Sequence, residues 1–259
     1  MECYEFCFSP TGGTKKVMDA FSAPLFEGHN IKELDLTSRI YDFSALQLSE
    51  DDMCIFAVPS YGGRVPEPAA ERIALIHGGG ARAVAVVSYG NRDYDDTLLE
   101  LRDILVKAGF RVCAGVAAVA EHSIMNCYAN GRPDIGDLAV LAEFGCRVRR
   151  LIDSDCADEP ELPGSRPYKE YAGLPLKPSA NEFCIRCGLC ASKCPVGAIP
   201  EEAPDETDAK SCITCMRCVQ VCPVKARSLN ANIVSAVTAK MAAACTEPKL
   251  NELFLPTDA

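Results

Sequence analysis

Residues 184–195 read CIRCGLCASKCP, and residues 212–223 read CITCMRCVQVCP. Each run therefore spaces its cysteines as C-x2-C-x2-C-x3-C and ends in proline. Three thiolates at this spacing let one short loop wrap around three corners of an iron–sulfur cubane, so the fourth ligand must come from elsewhere in the chain. Two copies of the pattern predict two [4Fe–4S] clusters.

Other chemistries of cysteine fit these runs less well. Tetrahedral zinc takes four ligands, commonly from two C-x2-C pairs, which leaves a third cysteine at the same spacing unexplained. A disulfide framework needs an oxidising compartment, and the first residues show no basic segment followed by an apolar run and a cleavage site, as a secretory signal would. The radical-SAM spacing C-x3-C-x2-C does not occur. The runs therefore indicate cluster ligands in a reducing, cytoplasmic setting.

The two runs resemble those of bacterial two-cluster ferredoxins, and the resemblance covers residues 181–230. In those proteins the fourth cysteine of each run binds the cluster of the other run. The resemblance implies that the first cluster is held by Cys184, Cys187, Cys190 and Cys222. It implies that the second is held by Cys212, Cys215, Cys218 and Cys194.

Residues 1–152 alternate short apolar runs with stretches of helical periodicity, which is typical of a parallel sheet covered on both faces. The predicted strands are Cys3–Phe8, Ile31–Leu36, Met53–Val58, Ala83–Ser88 and Val112–Val119. Helices are expected from about Thr14, over 66–76, 95–108 and 134–152, whereas 41–48 is short for one. This order predicts an α/β flavodoxin-like, doubly wound sheet with strand order 2-1-3-4-5.

The loop after the first predicted strand has the composition of a phosphate site. Residues 8–15 read FSPTGGTK. Glycines let backbone N–H groups approach an anion, hydroxyls donate further hydrogen bonds, and a helix N-terminus favours negative charge. The loop is similar to the S/T-x-T-G-x-T phosphate loop of flavodoxins, although a plain tight turn would use the same residue types. The candidate residues are Ser9, Thr11, Gly12, Gly13 and Thr14.

Two further loops follow the third and fourth strands, at the edge where ligands bind in such folds. Residues 59–66 read PSYGGRVP and residues 89–94 read YGNRDY. Each places tyrosine beside glycine, and an isoalloxazine needs an aromatic wall and close backbone approach. The chain has no Trp, so a tyrosine must replace the usual tryptophan wall, and each tyrosine could instead pack at the rim. The resemblance to flavodoxins implies FMN bound by Ser60, Tyr61, Gly62, Gly63, Tyr89, Gly90, Asn91, Arg92 and Tyr94.

Two other residue types near this edge leave alternatives open. His122 follows the fifth strand and could relay protons to the flavin or cap a turn. Arg64 and Arg92 could pair with phosphate, or they could be ordinary solvated loop arginines.

The segments outside these domains are read from composition. Residues 153–180 are acidic and contain five prolines, which predicts an irregular linker that packs along both domains. Residues 231–244 are rich in alanine and lack Gly and Pro, which favours a helix within a C-terminal unit of residues 231–259. The segment 250–255 is either a docking strap or a frayed tail.

The order of domains resembles that of flavodoxin–ferredoxin fusion proteins of anaerobic bacteria. The resemblance implies low-potential electron transfer between FMN and two [4Fe–4S] clusters, with no catalytic residue of the chain's own. An FMN-dependent reductase is the alternative, and it predicts an open, partly apolar pocket over the flavin; a redox sensor is a weaker one. The net charge of −10 argues against nucleic acid as a partner, and no apolar run is long enough for a membrane span. The expected partners are redox proteins, and a homodimer is compatible with the sequence.

Overall fold

The computed structural model describes residues 2–154 and 158–257. Its strands are β1 (Cys3–Cys7), β2 (Ile31–Asp35), β3 (Met53–Pro59), β4 (Arg82–Tyr89), β5 (Arg111–Val119), β6 (Ser179–Ala180), β7 (Arg227–Ser228) and β8 (Glu252–Phe254). Its helices are α1 (Gly13–Leu25), α2 (Glu67–Ile73), α3 (Thr97–Lys107), α4 (Ile135–Asp153), α5 (Leu189–Ser192), α6 (Arg217–Gln220) and α7 (Ala231–Cys245).

Six strands form one sheet in the order β2-β1-β3-β4-β5-β8. The first five are parallel, with Cys3 opposite both Ile31 and Met53, and their order confirms the flavodoxin-like prediction. Strands β3 to β5 are almost continuously apolar because helices cover both of their faces.

The core has two layers, one on each face of the sheet. On one face, α1 and α4 bury Phe21 and Leu141 against the sheet. On the other, α2 and α3 bury Ile73 and Leu98. The cysteines of β1, β3 and β5 lie in these layers as small, buried side chains, as their apolar setting predicts.

One local detail agrees with the sequence, and another does not. The stretch 41–48 contains only a 3-10 turn, Phe43–Ala45, where a flavodoxin-like unit would place a helix. The helical spacing within 134–152 predicts that Leu138, Leu141 and Val148 face inward, but Leu138 is 38% exposed, whereas the other two are buried. Leu138 lies one turn too early on α4, beside the N-terminal capping box formed by Asp134 and Asp137.

The tail is a strap and not a frayed end. Strand β8 pairs antiparallel with β5, placing Phe254 opposite Gly115. The side chain of Asn251 accepts a hydrogen bond from the N–H of Val119 at 2.9 Å and donates to Asp137 at 2.9 Å. These side-chain bonds add to a pairing that is only three residues long.

The linker contacts both domains over residues 158–178. The N–H groups of Ser165 and Lys169 donate to Asp96, which lies at the start of α3. Farther along, Lys177 Nζ donates to the carbonyl oxygen of Cys212 at 2.5 Å. Residues 155–157, including Cys156 of the predicted linker, lie outside the described residues.

The cysteine runs form a small module held by the antiparallel pair β6–β7. In each run a left-handed residue, Gly188 or Met216, precedes a helix of four residues, α5 or α6. Cys190, Ile199 and Cys218 pack in its small apolar centre. Across residues 2–154 and 158–257, every helix is too short or too polar to cross a membrane.

Candidate functional site

A cavity of about 320 Å³ lies at the carboxyl ends of β1, β3, β4 and β5, and we call it the sheet-edge cavity. The structure brings the three predicted loops together around it. The predicted residues on its wall are Thr11, Gly13, Thr14, Ser60, Tyr61, Gly62, Gly63, Tyr89, Gly90 and Arg92. A site for one medium-sized ligand therefore exists where the strand order predicts it.

The first loop has the shape of an anion cradle. Gly12 is left-handed, with φ of 92°, and precedes the first residue of α1. Gly12 offers no side-chain N-cap to this 13-residue helix, and the first turn of the helix contains no acidic residue. The hydroxyls of Thr14 and Ser88 share a hydrogen bond of 2.7 Å at the same edge. Backbone N–H groups and hydroxyls on a helix N-terminus suit a phosphate.

Four of the predicted residues do not line the cavity: Ser9, Gly12, Asn91 and Tyr94. Ser9 Oγ accepts a hydrogen bond from the N–H of Lys15 at 3.0 Å, which closes the first loop onto α1. The buried side chain of Asn91 donates to the carbonyl oxygen of Cys245 at 2.6 Å and accepts from the N–H of Lys249 at 2.9 Å. Asn91 thereby holds the C-terminal end of α7 against the fourth-strand loop.

Tyr94 also lies away from the cavity. Its hydroxyl donates to Glu252 on the strap at 2.9 Å, and its ring meets Tyr89 edge to face with centroids 5.2 Å apart. Burial raises the pKa of Tyr89 to about 12. Tyr89 therefore lines the cavity, and Tyr94 packs against the side of Tyr89 that faces away from it.

The opposite wall contains an aromatic ring from the linker. Gly62 has φ of 64°, and a Cβ on it would stand 2.2 Å from the ring of Tyr171. Only glycine therefore lets this ring lie against the loop. Burial raises the pKa of the neighbouring Tyr61 well above its usual value. Tyr171 was not among the predicted residues, because an aromatic residue in a proline-rich linker carries no motif.

The two loop arginines are already neutralised. Arg64 donates from Nε and Nη2 to Glu100 at 2.8 and 2.6 Å. Arg92 lines the cavity but is ion-paired with Asp95, which also accepts from Lys169 at 2.9 Å. Neither is placed as a free cation for a phosphate, and binding of an anion depends on backbone and hydroxyl donors.

His122 lines the cavity and caps a turn. Its Nδ1 accepts from the N–H groups of Ile124 and Met125, each at 3.1 Å. Burial lowers the pKa of His122 to about 4, so the ring is neutral near pH 7 with its proton on Nε2. Of the two alternatives the sequence left open, turn capping is the one in the structure, and the ring adds a neutral N–H donor to the cavity.

An apolar roof covers the sheet-edge cavity. It is made of Tyr171, Leu174, Pro175 and Leu176 from the linker, Ile213 and Thr214 from the second cysteine run, and Ile233, Val237 and Met241 from α7. The three α7 residues recur every fourth position and so share one helix face. Ile233 is 49% and Val237 38% exposed, so this face is only partly covered by protein.

The roof helix is held at its middle and at its C-terminal end. Cys245 packs with Met125 and Tyr128. The Tyr128 hydroxyl donates to the carbonyl oxygen of Thr238, at the midpoint of α7, at 2.6 Å. These contacts hold the C-terminal half of α7 in place.

A second cavity, the four-cysteine cavity, lies in the module. Its wall includes Cys184, Cys187, Cys190 and Cys222 together with Pro204 and Arg227. Three of these cysteines belong to the first run and one to the second, the combination that the ferredoxin resemblance implies. Four thiols are a donor set suited to iron–sulfur chemistry. Among the residues that the structure describes, no three His, Cys, Asp or Glu side chains meet closely enough to hold a single metal ion.

The other four cysteines also lie close together. Burial raises the pKa of Cys215 to about 12, and the thiols of the other three cysteines of this set add to the rise. Backbone N–H groups donate to sulfur at equivalent places in both runs, from Ala198 to Cys194 at 3.3 Å and from Ala226 to Cys222 at 3.2 Å. Such donors stabilise negative charge on the ligands of a cluster.

The module is docked with its second run against the sheet-edge cavity. Ile213 and Thr214, which line that cavity, lie between Cys212 and Cys215. Arg217 Nη1 donates to the carbonyl oxygen of Pro10 in the phosphate-type loop at 3.1 Å. The loop between Cys212 and Cys215 therefore forms part of the wall of the sheet-edge cavity.

Comparisons with known proteins agree with this division. Residues 183–227 match the 4Fe-4S dicluster domain family. NADH-quinone oxidoreductase subunit I of Tolumonas auensis is 32% identical over 73 residues, which is 28% of this chain and 39% of that subunit. The chain thus spans well under half the length of this curated relative.

Solved flavodoxins align with the first part of the chain. A flavodoxin from the domain Archaea covers 59% of this chain and 99% of its own, with 13% identity and a TM-score of 0.45. The flavodoxin of Streptococcus pneumoniae covers 57% and 99%, with 19% identity and a TM-score of 0.40. Both scores are low, so the fold assignment rests on this chain's own strand order.

The chain joins a flavodoxin-like α/β domain to a 4Fe-4S domain.

Proposed function

We propose that this protein passes electrons at low potential between FMN in the sheet-edge cavity and two [4Fe–4S] clusters of the same chain. The observation that carries the proposal is the loop between Cys212 and Cys215, because Ile213 and Thr214 lie between these two cluster-type cysteines and line the flavin-type cavity. FMN exchanges two electrons and each cluster one, so the pairing couples two-electron and one-electron carriers.

The residues present fit FMN. The loop of residues 9–14 and the N-terminus of α1 would hold the phosphate through neutral N–H and hydroxyl donors. Tyr61 and Gly62 on one side, and Tyr89 and Gly90 on the other, would enclose the ring system. His122 would offer a neutral N–H, and the roof would keep water from the rings.

The size of the sheet-edge cavity favours a carrier over a reductase. Its volume of about 320 Å³ is at the lower end of the range of roughly 300–1,000 Å³ typical of ligand pockets. One flavin ring system would take up this space, and the roof lies where a second small molecule would have to approach. A reductase needs room for a substrate beside the flavin.

We also propose an order for the clusters. The set of Cys194, Cys212, Cys215 and Cys218 would be the inner cluster, next to the flavin. The set of Cys184, Cys187, Cys190 and Cys222 would be the outer cluster, since Cys187 is exposed there. Phe183 and Ile185 beside it are 69% and 62% exposed and would contact a redox partner.

The test is an anaerobic reductive titration of the full chain, reconstituted with FMN, iron and sulfide, followed by visible and EPR spectra. The proposal predicts uptake of about four electrons, two by the flavin and one by each cluster. Flavin and clusters should reach equilibrium with each other. Rapid loss of electrons in pairs to an added quinone or other small acceptor would support the reductase instead, and a chain that binds no flavin would overturn the proposal.

A further inference from the structure

The two cysteine runs continue as an internal repeat that differs at one buried position. Residues 194–199 read CPVGAI and residues 222–227 read CPVKAR. Ile199 and Arg227 occupy equivalent places, and they are 4% and 2% exposed. One half of the repeat thus buries an apolar side chain where the other buries a cation.

Arg227 has no carboxylate partner within residues 2–154 and 158–257. Its Nη1 donates to the carbonyl oxygen of Pro204 at 2.5 Å and lies 3.8 Å from Cys190 Sγ. Its Nη2 donates to the carbonyl oxygen of Glu206 at 3.1 Å and to the hydroxyl of Thr207. Its Nε is buried without a hydrogen-bond partner.

A buried charge is costly unless an opposite charge accompanies it. The guanidinium lines the four-cysteine cavity, where four thiolates and a cluster would supply that charge. It also contacts the inner set, since burial raises the pKa of Cys218, and both the charge of Arg227 and a hydrogen bond from its side chain oppose the rise. Its place on the cavity wall and the 3.8 Å approach of Nη1 to Cys190 Sγ, however, are with the outer set.

We infer that Arg227 is the buried counter-ion of the outer cluster and raises its reduction potential above that of the inner cluster. The inference rests on the proposed function, because it requires both clusters. Reduction adds one electron to a cluster that is already anionic, and no bond forms or breaks. A fixed positive charge beside the sulfur stabilises the more negative, reduced cluster.

This asymmetry gives electron flow a direction. The loop between Cys212 and Cys215 of the inner cluster lines the flavin cavity, and the outer cluster faces solvent through Cys187. With Arg227 beside the outer cluster, the electron released by the reduced inner cluster moves to the outer one, from which a partner protein takes it. The apolar Ile199 offers no such stabilisation at the equivalent place.

The test compares Arg227→Gln with Arg227→Lys in the full chain. Both substitutions shorten the side chain and disrupt the guanidinium fork, so they differ mainly in charge. At the potential where the wild-type outer cluster is half reduced, we expect Arg227→Gln to lower its ratio of reduced to oxidised cluster at least tenfold, a shift of about 59 mV for one electron. Arg227→Lys should remain within threefold of wild type.

Arg186→Gln is the matched control, because Arg186 borders the same cavity but is solvent-exposed and paired with Asp205 at 3.3 Å. Its removal should shift the ratio less than threefold. Loss of the outer cluster in Arg227→Gln but not in Arg227→Lys would also support a counter-ion. Equal potentials in the Gln and Lys variants, or loss of the cluster in both, would overturn the inference.

Iron content separates this result from failure of the proposed function. A wild-type chain that binds about eight iron atoms but shows no effect of Arg227 contradicts only the inference. A wild-type chain that cannot be loaded with two clusters contradicts the proposed function itself.

Discussion

The two cavities of this protein are built in opposite ways. The four-cysteine cavity is walled entirely by residues between 184 and 227, and most of them belong to one repeated motif. The sheet-edge cavity draws its wall from four strand-end loops, the linker, the second cysteine run and α7. A cavity of the first kind is fixed by covalent spacing, whereas one of the second kind exists only once the whole chain has packed. A substitution should therefore affect the four-cysteine cavity only when it lies in or beside the motif. The sheet-edge cavity should also respond to substitutions in distant segments such as the linker and α7.

The sharpest test of the four-cysteine cavity is Cys222→Ser. This residue is the one member of the outer set that comes from the second run, so its loss should remove the outer cluster and leave the inner one. Iron content should fall from about eight to about four atoms per chain, measured together with EPR spectra.

Cys194→Ser is the reciprocal variant and should remove the inner cluster instead. Cys146→Ser serves as the control, because Cys146 is exposed on α4 and belongs to neither set. EPR spectra in which Cys222→Ser alters only the inner cluster would show that the ligands do not cross between runs.

Thr11→Asp tests the phosphate-type loop of the sheet-edge cavity. Thr11 lines the cavity next to the N-terminus of α1, so a carboxylate there would repel a phosphate held by that terminus. We expect FMN affinity to fall about 100-fold or more, measured by quenching of flavin fluorescence, with iron content unchanged.

Thr11→Asn is nearly identical in shape to the Asp variant and carries no charge. Its FMN affinity should fall tenfold at most. Equal losses in the Asp and Asn variants would mean that the loop does not hold the phosphate.

His122 ties the stability of the same cavity to pH. Burial lowers the pKa of His122 from 6.5 to about 4 in the folded chain. Between these values the unfolded chain binds the proton and the folded chain does not, so stability is lost as pH falls from 6.5 toward 4. The loss from this one group amounts to about 3 kcal/mol near pH 4.

In His122→Gln the decline in unfolding free energy between pH 6.5 and 4 should be smaller by about this amount, measured by urea denaturation of the apoprotein. His29→Gln is the control, since His29 is exposed. If the unfolding free energy of His122→Gln declined with pH as steeply as that of the wild type, the ring would not be buried as a neutral donor.

The difference between the cavities also explains what could be predicted from sequence. The cysteine spacing names all eight candidate ligands, and the resemblance to two-cluster ferredoxins groups Cys222 with the first run. The strand order follows from apolar runs whose composition reflects burial on both faces. The repeat even contains the signal for Arg227, visible once CPVGAI and CPVKAR are aligned.

For the sheet-edge cavity, only the residues of the strand-end loops could be predicted from sequence. Asn91 and Tyr94 have the right residue types and position, yet the structure turns them toward α7 and the strap. Tyr171 and Val237 line the cavity although they lie far from any motif. Their roles depend on where the linker and α7 pack, which is decided by tertiary contacts and leaves no local pattern.

The smallest effect should come from the roof, and Val237→Ser measures it. Val237 faces the cavity from the middle of α7 and is 38% exposed, so apolar surface remains for a flavin to cover. Losing two methyl groups and adding a hydroxyl should weaken FMN binding about fivefold, or about 1 kcal/mol. Ala239→Ser introduces the same side chain at an exposed position of the same helix and should leave the affinity unchanged. Because the eight cluster-type cysteines all lie outside the wall of the sheet-edge cavity, iron content should stay constant in both variants. Equal flavin affinities in the two variants would mean that α7 does not contact the bound flavin. The flavin site would then be bounded by the strand-end loops, the linker and the second cysteine run alone.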